Sequence, residues 1–256
     1  MRQVGTRTGD AVPRVMVRVI SLRESAERRA RMAAQLDATG LAWRFYDAWR
    51  TPPAELPYDP ARARIARGRV LTPGELGCFA SHWALWGDFL FNHADDLLLV
   101  LEDDLLLDPE FFARLDSAVL AMGNLDYLRL YAKVPAGIRN EAPFLQRHIA
   151  RFSGKAYGTQ AYLLTRRGAA RFRRSIRRVE RPIDDEMDRF WAHGMPIRAV
   201  FPFPVMEVQQ GSTIEHARRS LEPLTGGERA RWLLGRGLEK ARRLTAAALS
   251  HAGAGA

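Results

Sequence analysis

Three consecutive carboxylates, Glu102, Asp103 and Asp104, directly follow the apolar run Leu97 to Leu101. Carboxylate oxygens are hard ligands that suit Mg²⁺ or Mn²⁺. An ion held by them can bridge to a diphosphate and offset the charge that grows on a departing phosphate. A nucleoside diphosphate is a poor leaving group without that offset. The same residues would serve a metal-dependent phosphohydrolase of nucleotide sugars, and a solvated acidic turn after a buried strand is the plain alternative. Glu102 and Asp104 are one residue apart, so an extended strand would point both to one side, towards the ion, and Asp103 to the other. A second acidic pair stands at Asp184-Asp185, and Ser81-His82 sits between the first strand and the triplet.

The elements that must position these groups are legible as alternating strands and helices. Val15 to Leu22 is dense in β-branched residues and reads as a buried first strand. Ser25 precedes a helical stretch to Thr39, with Gly40 as its stop. Ala42 to Ala48 reads as a second strand. This strand–helix–strand opening predicts a nucleotide-binding α/β domain. Thr51 to Gly68, rich in proline and arginine, reads as a surface loop. Thr72-Pro73-Gly74-Glu75 has the form of a capping box and starts a helix to about Phe91. Leu97 to Leu101 is the strand that delivers the triplet at its C-terminal end, where open α/β sheets bind ligands. A helix from Asp108-Pro109 to Met122, a strand Tyr127 to Val134 and a hairpin or loop to Arg151 follow. Then come a strand Gly158 to Thr165, helices Arg167 to Ile176 and Ile183 to Trp191, and a strand Ile197 to Phe201. A basic helix begins at Gly226.

The 256 residues suit one α/β domain with a helical extension, here a flexible 1–14, a domain over 15–222 and a basic helix and tail over 223–256. The hydrophobic share of 47% is enough for a core and argues against disorder. The formal charge is +10; of the 39 basic residues only Lys133, Lys155 and Lys240 are lysines. A basic surface attracts nucleic acid, anionic lipid or phosphorylated substrates. With no zinc pattern and no RNA-binding signature, nucleic acid is not the expected partner. A single cysteine, Cys78, and an N-terminus without an apolar segment fit a cytoplasmic chain.

The order of motifs resembles glycosyltransferase family 25, the lipooligosaccharide-type glycosyltransferases. The matching pieces are Val19 to Leu22 with Glu27-Arg28-Arg29, Phe45 to Ala48, Leu71 to Cys78, Ser81-His82, Leu99 to Asp104, Gly158-Thr159 with Ala161-Tyr162, and Pro182 to Asp185. The strand carries Ser21 where the family more often has asparagine. The resemblance implies a GT-A-like fold with a central mixed, mostly parallel sheet. It implies a UDP-sugar donor, commonly UDP-galactose, with Mn²⁺ or Mg²⁺, and inversion at the anomeric carbon. The acceptor would be a saccharide, free or lipid-linked, of bacterial lipooligosaccharide or lipopolysaccharide. A family member that only binds sugar is the non-catalytic alternative.

Under that resemblance Glu102 and Asp104 are the expected metal ligands and Asp103 a ligand or ribose contact. Asp184 or Asp185 supplies the base that takes the acceptor proton; acids complementing a helix N-terminus are the bland alternative. Ser21, Arg28, Asp47, Ser81, His82, Gly158 and Thr159 are the expected donor contacts, with Arg28 or Arg29 on phosphate or ribose. His82 is otherwise a buried histidine pinned by hydrogen bonds. The N-terminus of the Thr72-capped helix is a candidate pyrophosphate site, with Gly74 and Gly77 permitting close approach. Gln209, Gln210 and Ser212 would complete the pocket. Leu234, Leu238, Ala241, Thr245 and Ala248 make an apolar stripe among arginines, the pattern of a helix lying on an anionic membrane or docked on the core.

Overall fold

A computed structural model describes residues 13–135, 137–152, 154–208 and 223–252. Strands β1 (Val15–Ser21), β2 (Trp43–Asp47) and β3 (Leu97–Glu102) form a parallel set with β1 in the middle. Helix α1 (Ala26–Asp37) makes the crossover from β1 to β2. β8 (Ala161–Thr165) runs antiparallel to β3, so its first residues lie at the edge where β1, β2 and β3 end. β5 (Tyr127–Arg129), β9 (Arg198–Phe201), β7 (Arg147–Phe152) and β6 (Ile138–Phe144) complete one mixed sheet, in the order β2-β1-β3-β8-β5-β9-β7-β6. A separate ribbon pairs β4 (Leu105–Leu107) with β10 (Val205–Glu207).

Alternation along β3 splits its side chains between two cores. Leu98 and Val100 join Phe79, Trp86 and Phe89 of α3 (Pro73–Asn92) and Phe172 of α6 (Arg166–Ser175). Leu97, Leu99 and Leu101 join Met32 and Leu36 of α1 with residues of α4 (Pro109–Ala113) and α5 (Leu115–Met122). A strand buried on both faces has to be apolar throughout, as Leu97 to Leu101 is. Each fully buried leucine contributes about 1.5–3 kcal/mol. The first polar residue after the run is therefore the first that can leave the core, and it is Glu102.

The capping box forms as the sequence predicts: Thr72 Oγ1 accepts from Glu75 N–H, and Glu75 accepts from Thr72 N–H at 3.0 Å. Other elements differ. Thr51 to Gly68 is not all loop, because α2 (Pro60–Arg67) forms with Asp59 capping its N-terminus and Gly68 in the left-handed conformation beyond its end. Those signals stood in the sequence, and the arginines between them masked them. The helix after Asp108 breaks at Arg114 into α4 and α5. The strand from Tyr127 keeps only three residues, after which Lys133 and Val134 bond to the irregular segment at Tyr157 and Ala156. The expected helix from Ile183 is two short turns, α7 (Ile183–Met187) and α8 (Phe190–His193).

His193 makes the fold acid-sensitive. It is buried, its Nε2 bonds to Met187 O and its Nδ1 accepts from Met195 N–H. Both nitrogens are thus used by the neutral ring. Burial, with Arg129, Arg189 and Arg171 nearby, lowers its pKa to about 3. The unfolded chain takes up that proton near pH 6.5 and the folded one does not, so stability falls as pH drops from about 6.5 towards 3. His193→Gln should flatten this part of the stability–pH curve measured by urea unfolding; an unchanged curve would count against the assignment.

Candidate active site

The C-terminal ends of β1, β2 and β3 and the N-terminal approach to β8 bring Ser21, Asp47, Glu102 and Gly158-Thr159 to one edge of the sheet. Glu102 closes β3, with its N–H on Gln160 O at 2.7 Å. Its Oε1 accepts from Thr159 Oγ1 at 2.5 Å and faces His82 Nε2 at 3.4 Å. His82 Nδ1 lies 2.9 Å from the Tyr162 hydroxyl, which itself accepts from Trp86 Nε1 at 2.8 Å. The hydroxyl proton is then free for Nδ1, which leaves the imidazole proton on Nε2, pointing at Glu102. Burial pushes Glu102 up, yet the contacts to His82 and Thr159 outweigh it and hold the carboxyl below its usual range.

Asp103 and Asp104 lie in a turn, so strand alternation stops at Glu102. The extended strand expected through Asp104 therefore ends at Glu102, and the turn sets where Asp103 and Asp104 face. Asp103 is buried, accepts from Ser21 Oγ at 2.6 Å and pairs with Arg28 at 3.1 Å. Asp104 has no such partners among the described residues. Its Oδ1 is buried without a hydrogen bond. Burial, then Glu102, Glu207 and Asp103, push its pKa up to about 7. Glu207 reaches this place from β10, where Val208 N–H bonds to Asp104 O at 2.7 Å. A buried carboxylate oxygen with no donor, among three further carboxylates, fits a divalent cation held by oxygen. Glu102 has its hydrogen bonds on Oε1 alone, which leaves Oε2 for such an ion.

A softer trio lies beside it. Cys78 Sγ, His82 Nε2 and Glu102 Oε1 are within 4.8 Å of one another. Burial and then Glu102 push the Cys78 thiol well up, which keeps it protonated and a poor ligand. His82 is fully buried and held in its tautomer. This trio is internal packing behind Glu102.

The structure separates Asp184 from Asp185. Asp185 is 2% exposed and paired with Lys155, with Arg67 at 3.9 Å. It is an ion-paired structural group. Asp184 is half-buried and, among the described residues, accepts only backbone N–H groups, from Gly158 at 3.3 Å and Asp185 at 2.8 Å. Burial, then Asp185, raise its pKa. The left-handed turn at Tyr157 (φ 51) and Gly158 (φ 82) carries Gly158 N–H to Asp184 and Thr159 to Glu102. A Cβ on Gly158 would collide with the Gln160 side chain.

Several expected contacts fall elsewhere. Ser81 is fully buried, accepts from Trp49 N–H at 2.9 Å and donates to Gly77 O at 2.7 Å, so it fastens the loop after β2 to α3 and has nothing left for a donor. Gly77 is needed for the same approach, since a Cβ there would lie 2.8 Å from Trp49 O. His82, fully buried, reaches a ligand only through Glu102. The N-terminus of α3 is closed by Glu75, itself an anion paired with Arg69 at 2.6 Å, so it is no pyrophosphate site. Asp47 is exposed and held by Arg23 at 2.7 Å and Arg29 at 3.0 Å, which lower its pKa. Gln209, Gln210 and Ser212 lie outside the described residues. Sequence reasoning missed Arg129 and Asp188. They form a buried pair at 2.6 Å that clamps the Tyr157-Gly158 turn, with Arg129 donating to both carbonyls and Asp188 accepting Tyr157 N–H at 2.7 Å. Asp188, four residues after Asp184 in an acidic run, was the available signal.

A family model described as glycosyltransferase family 25 (LPS biosynthesis protein) matches residues 16–187, from β1 through α7. The chain belongs to glycosyltransferase family 25. Among its family relatives, the lacto-N-neotetraose biosynthesis glycosyltransferase LgtE of Neisseria meningitidis is 32% identical over 158 residues, 58% of this chain and 56% of that protein. The chain thus aligns with little more than half the length of that relative. LgtB of Neisseria gonorrhoeae is 29% identical over 236 residues, 78% of this chain and 81% of LgtB. The human inactive glycosyltransferase 25 family member 3 is 35% identical over 106 residues, 38% of this chain and 18% of that protein. Identity at this level therefore accompanies proteins named as active and as inactive, and the question of activity falls on the site.

Proposed function

We propose that this chain transfers a sugar, with inversion, from a UDP-sugar such as UDP-galactose to a saccharide acceptor of lipooligosaccharide or lipopolysaccharide. The observation that carries the reading is the buried, unpartnered Asp104 oxygen beside Glu102 and Glu207. Asp104 and Glu102 would hold Mn²⁺ or Mg²⁺, which when bound offsets charge on the leaving diphosphate. Asp103, fixed by Ser21 and Arg28, presents a buried carboxylate to the nucleotide side. Thr159 and the His82–Tyr162–Trp86 chain hold Glu102 ionised and oriented. Asp184 takes the acceptor proton. Its raised pKa suits a base, and among the described residues it forms no ion pair, unlike Asp185.

Release of UDP from UDP-galactose, measured with and without added saccharide, tests the reading. UDP release should need both acceptor and metal; release of UMP and galactose 1-phosphate without acceptor would favour a phosphohydrolase, and binding with no release a sugar-binding relative. Asp184→Asn should lower kcat about 10²–10⁴-fold with little change in donor KM, the usual span for a general base. Asp185→Asn should cost stability first. Equal kinetic losses in the two variants would overturn the assignment of the base.

The C-terminal helix α9 (Gly226–Ala252) supports a peripheral membrane contact at the inner face of the cytoplasmic membrane. It docks on the domain through Arg64–Glu228 at 2.7 Å and Arg181–Glu239 at 3.0 Å. The apolar stripe faces outward and not onto the core, with Leu234 70% and Leu238 62% exposed. Arg231 and Arg242 flank it, which suits an anionic bilayer. No helix among the described residues is long and apolar enough to cross a membrane. Leu234→Gln with Leu238→Gln should reduce co-sedimentation with phosphatidylglycerol vesicles; undiminished sedimentation would refute the contact.

A further inference from the structure

A cleft of about 590 Å³ lies between the body-facing side of α9 and the wall formed by Arg67 of α2, Lys155, Tyr157, Asp185 and Trp191. Its size is that of a small-ligand site. Tyr157, on the cleft wall, immediately precedes Gly158, whose N–H holds Asp184, so the wall and the proposed base are joined by one turn. Asp185, on its wall, is the next residue after that base.

The lining is strongly cationic. Two carboxylates, Asp185 and Glu239, are each already matched. Asp185 is paired with Lys155, and Glu239 sits 3.0 Å from both Arg181 and Arg189. Arg236, Lys240 and Arg243 face the cleft from successive turns of α9, and none of them has a carboxylate partner among the described residues. Three clustered cations with no counter-charge repel one another, and an anion between them relieves that. Arg236 stacks over Trp232 at 4.9 Å, and Trp232 packs on Gly68, so α9 is pinned to α2 where the cations project. Trp191 adds a buried indole N–H with no partner, and Tyr157 and Trp191 supply the ring surfaces on which sugars pack. The α9 wall lies beyond residue 187, outside the segment that the family match covers.

We propose that this cleft binds the acceptor, and that the acceptor is a saccharide carrying a phosphate or carboxylate close to the hydroxyl that is glycosylated. Aromatic walls bind the sugar rings, the α9 cations bind the anionic group, and the reacting hydroxyl is directed towards Asp184. The inference rests on the transfer reading above and adds to it the acceptor's charge and the part of the chain that selects it. A duplex nucleic acid, the other polyanion a basic chain suggests, does not fit a cleft of this volume.

The test uses the full chain and deacylated core oligosaccharide of a Gram-negative bacterium in three forms: native, dephosphorylated with hydrofluoric acid, and carboxyl-reduced. Binding is followed by calorimetry. The native form should bind, and one of the two treatments should weaken it about tenfold or more, which identifies the anionic group. The double variant Lys240→Ala/Arg243→Ala should weaken the native form to a similar degree, with unchanged thermal stabilisation by UDP-galactose and Mn²⁺. Equal affinity for all three forms, wild-type affinity in the double variant, or no binding of the native form would overturn the proposal. Stabilisation by UDP-galactose and Mn²⁺ is a separate readout: if it persists when the oligosaccharide fails, the cleft assignment falls and the transfer reading stands. If the donor gives none while the oligosaccharide binds, the reverse holds.

Discussion

Asp104→Asn is expected to lower kcat/KM by roughly 10³-fold or more while making the metal-free protein more stable. The first effect follows from losing an anionic oxygen that a divalent ion needs, where the ion supplies several kcal/mol to the departing diphosphate. The second follows from the site without metal. Asp104 Oδ1 is buried with no donor, and Glu102, Glu207 and Asp103 all repel its charge. Removing that charge without changing the side chain's shape relieves about 1–3 kcal/mol. Thermal unfolding with and without Mn²⁺ reads both: the wild type should be stabilised by Mn²⁺, and the variant should start higher and respond little. A variant that loses stability without metal, or keeps a full Mn²⁺ response, would remove Asp104 from the metal site. The opposed signs matter, because a merely structural aspartate would lose stability and activity together.

Arg129→Met should destabilise the fold by about 3–5 kcal/mol, the usual cost of leaving one member of a buried ion pair unmatched. Arg129 is 1% exposed and Asp188 fully buried. Burial already lifts Asp188 to about 6 with the guanidinium 2.6 Å away. Without Arg129 the Asp188 carboxyl keeps Tyr157 N–H, Gly158 O loses the guanidinium donor, and Tyr157 O keeps Lys133 N–H at 3.2 Å. The turn that carries Thr159 to Glu102 loosens with it, so activity should fall before unfolding is reached. The double variant Arg129→Met/Asp188→Leu removes both charges and should regain much of the stability, but not the activity, because the turn stays unclamped. Urea unfolding checks the order. A single variant within about 1 kcal/mol of wild type would mean that the pair is not needed to hold the turn.

How far the site could be read depended on how local each feature was. Leu97 to Leu101 announced a doubly buried strand, and the acids after it had to emerge at a sheet edge. Thr72-Pro73-Gly74-Glu75 announced a helix start, and the capping box formed there. Asp59-Pro60 and Gly68 carried the same kind of signal for α2, which a run of arginines concealed. Asp184 and Asp185 were indistinguishable, since adjacent residues in one turn of helix carry the same local information. Lys155 and Arg67, distant in sequence, claim one of them and leave the other.

The triplet sets the same division. The sequence by itself determined that Glu102, Asp103 and Asp104 stand together at the end of a buried strand, because an apolar run long enough for one strand must end where polar residues begin. It also determined family membership, through an ordered set of short motifs. Only the tertiary structure decided that Asp103 is spent on Ser21 and Arg28, that Glu102 is braced through His82 by Tyr162 and Trp86, and that Asp104 alone keeps a buried oxygen free. It decided too that Ser81 and Asp185 serve the scaffold and that the apolar stripe of α9 faces outward. The physical reason is that hydrogen-bond and charge satisfaction is a property of neighbours in space. Those neighbours come from β1, α1, α3, β8 and β10, and no local pattern records which of them arrives at which oxygen.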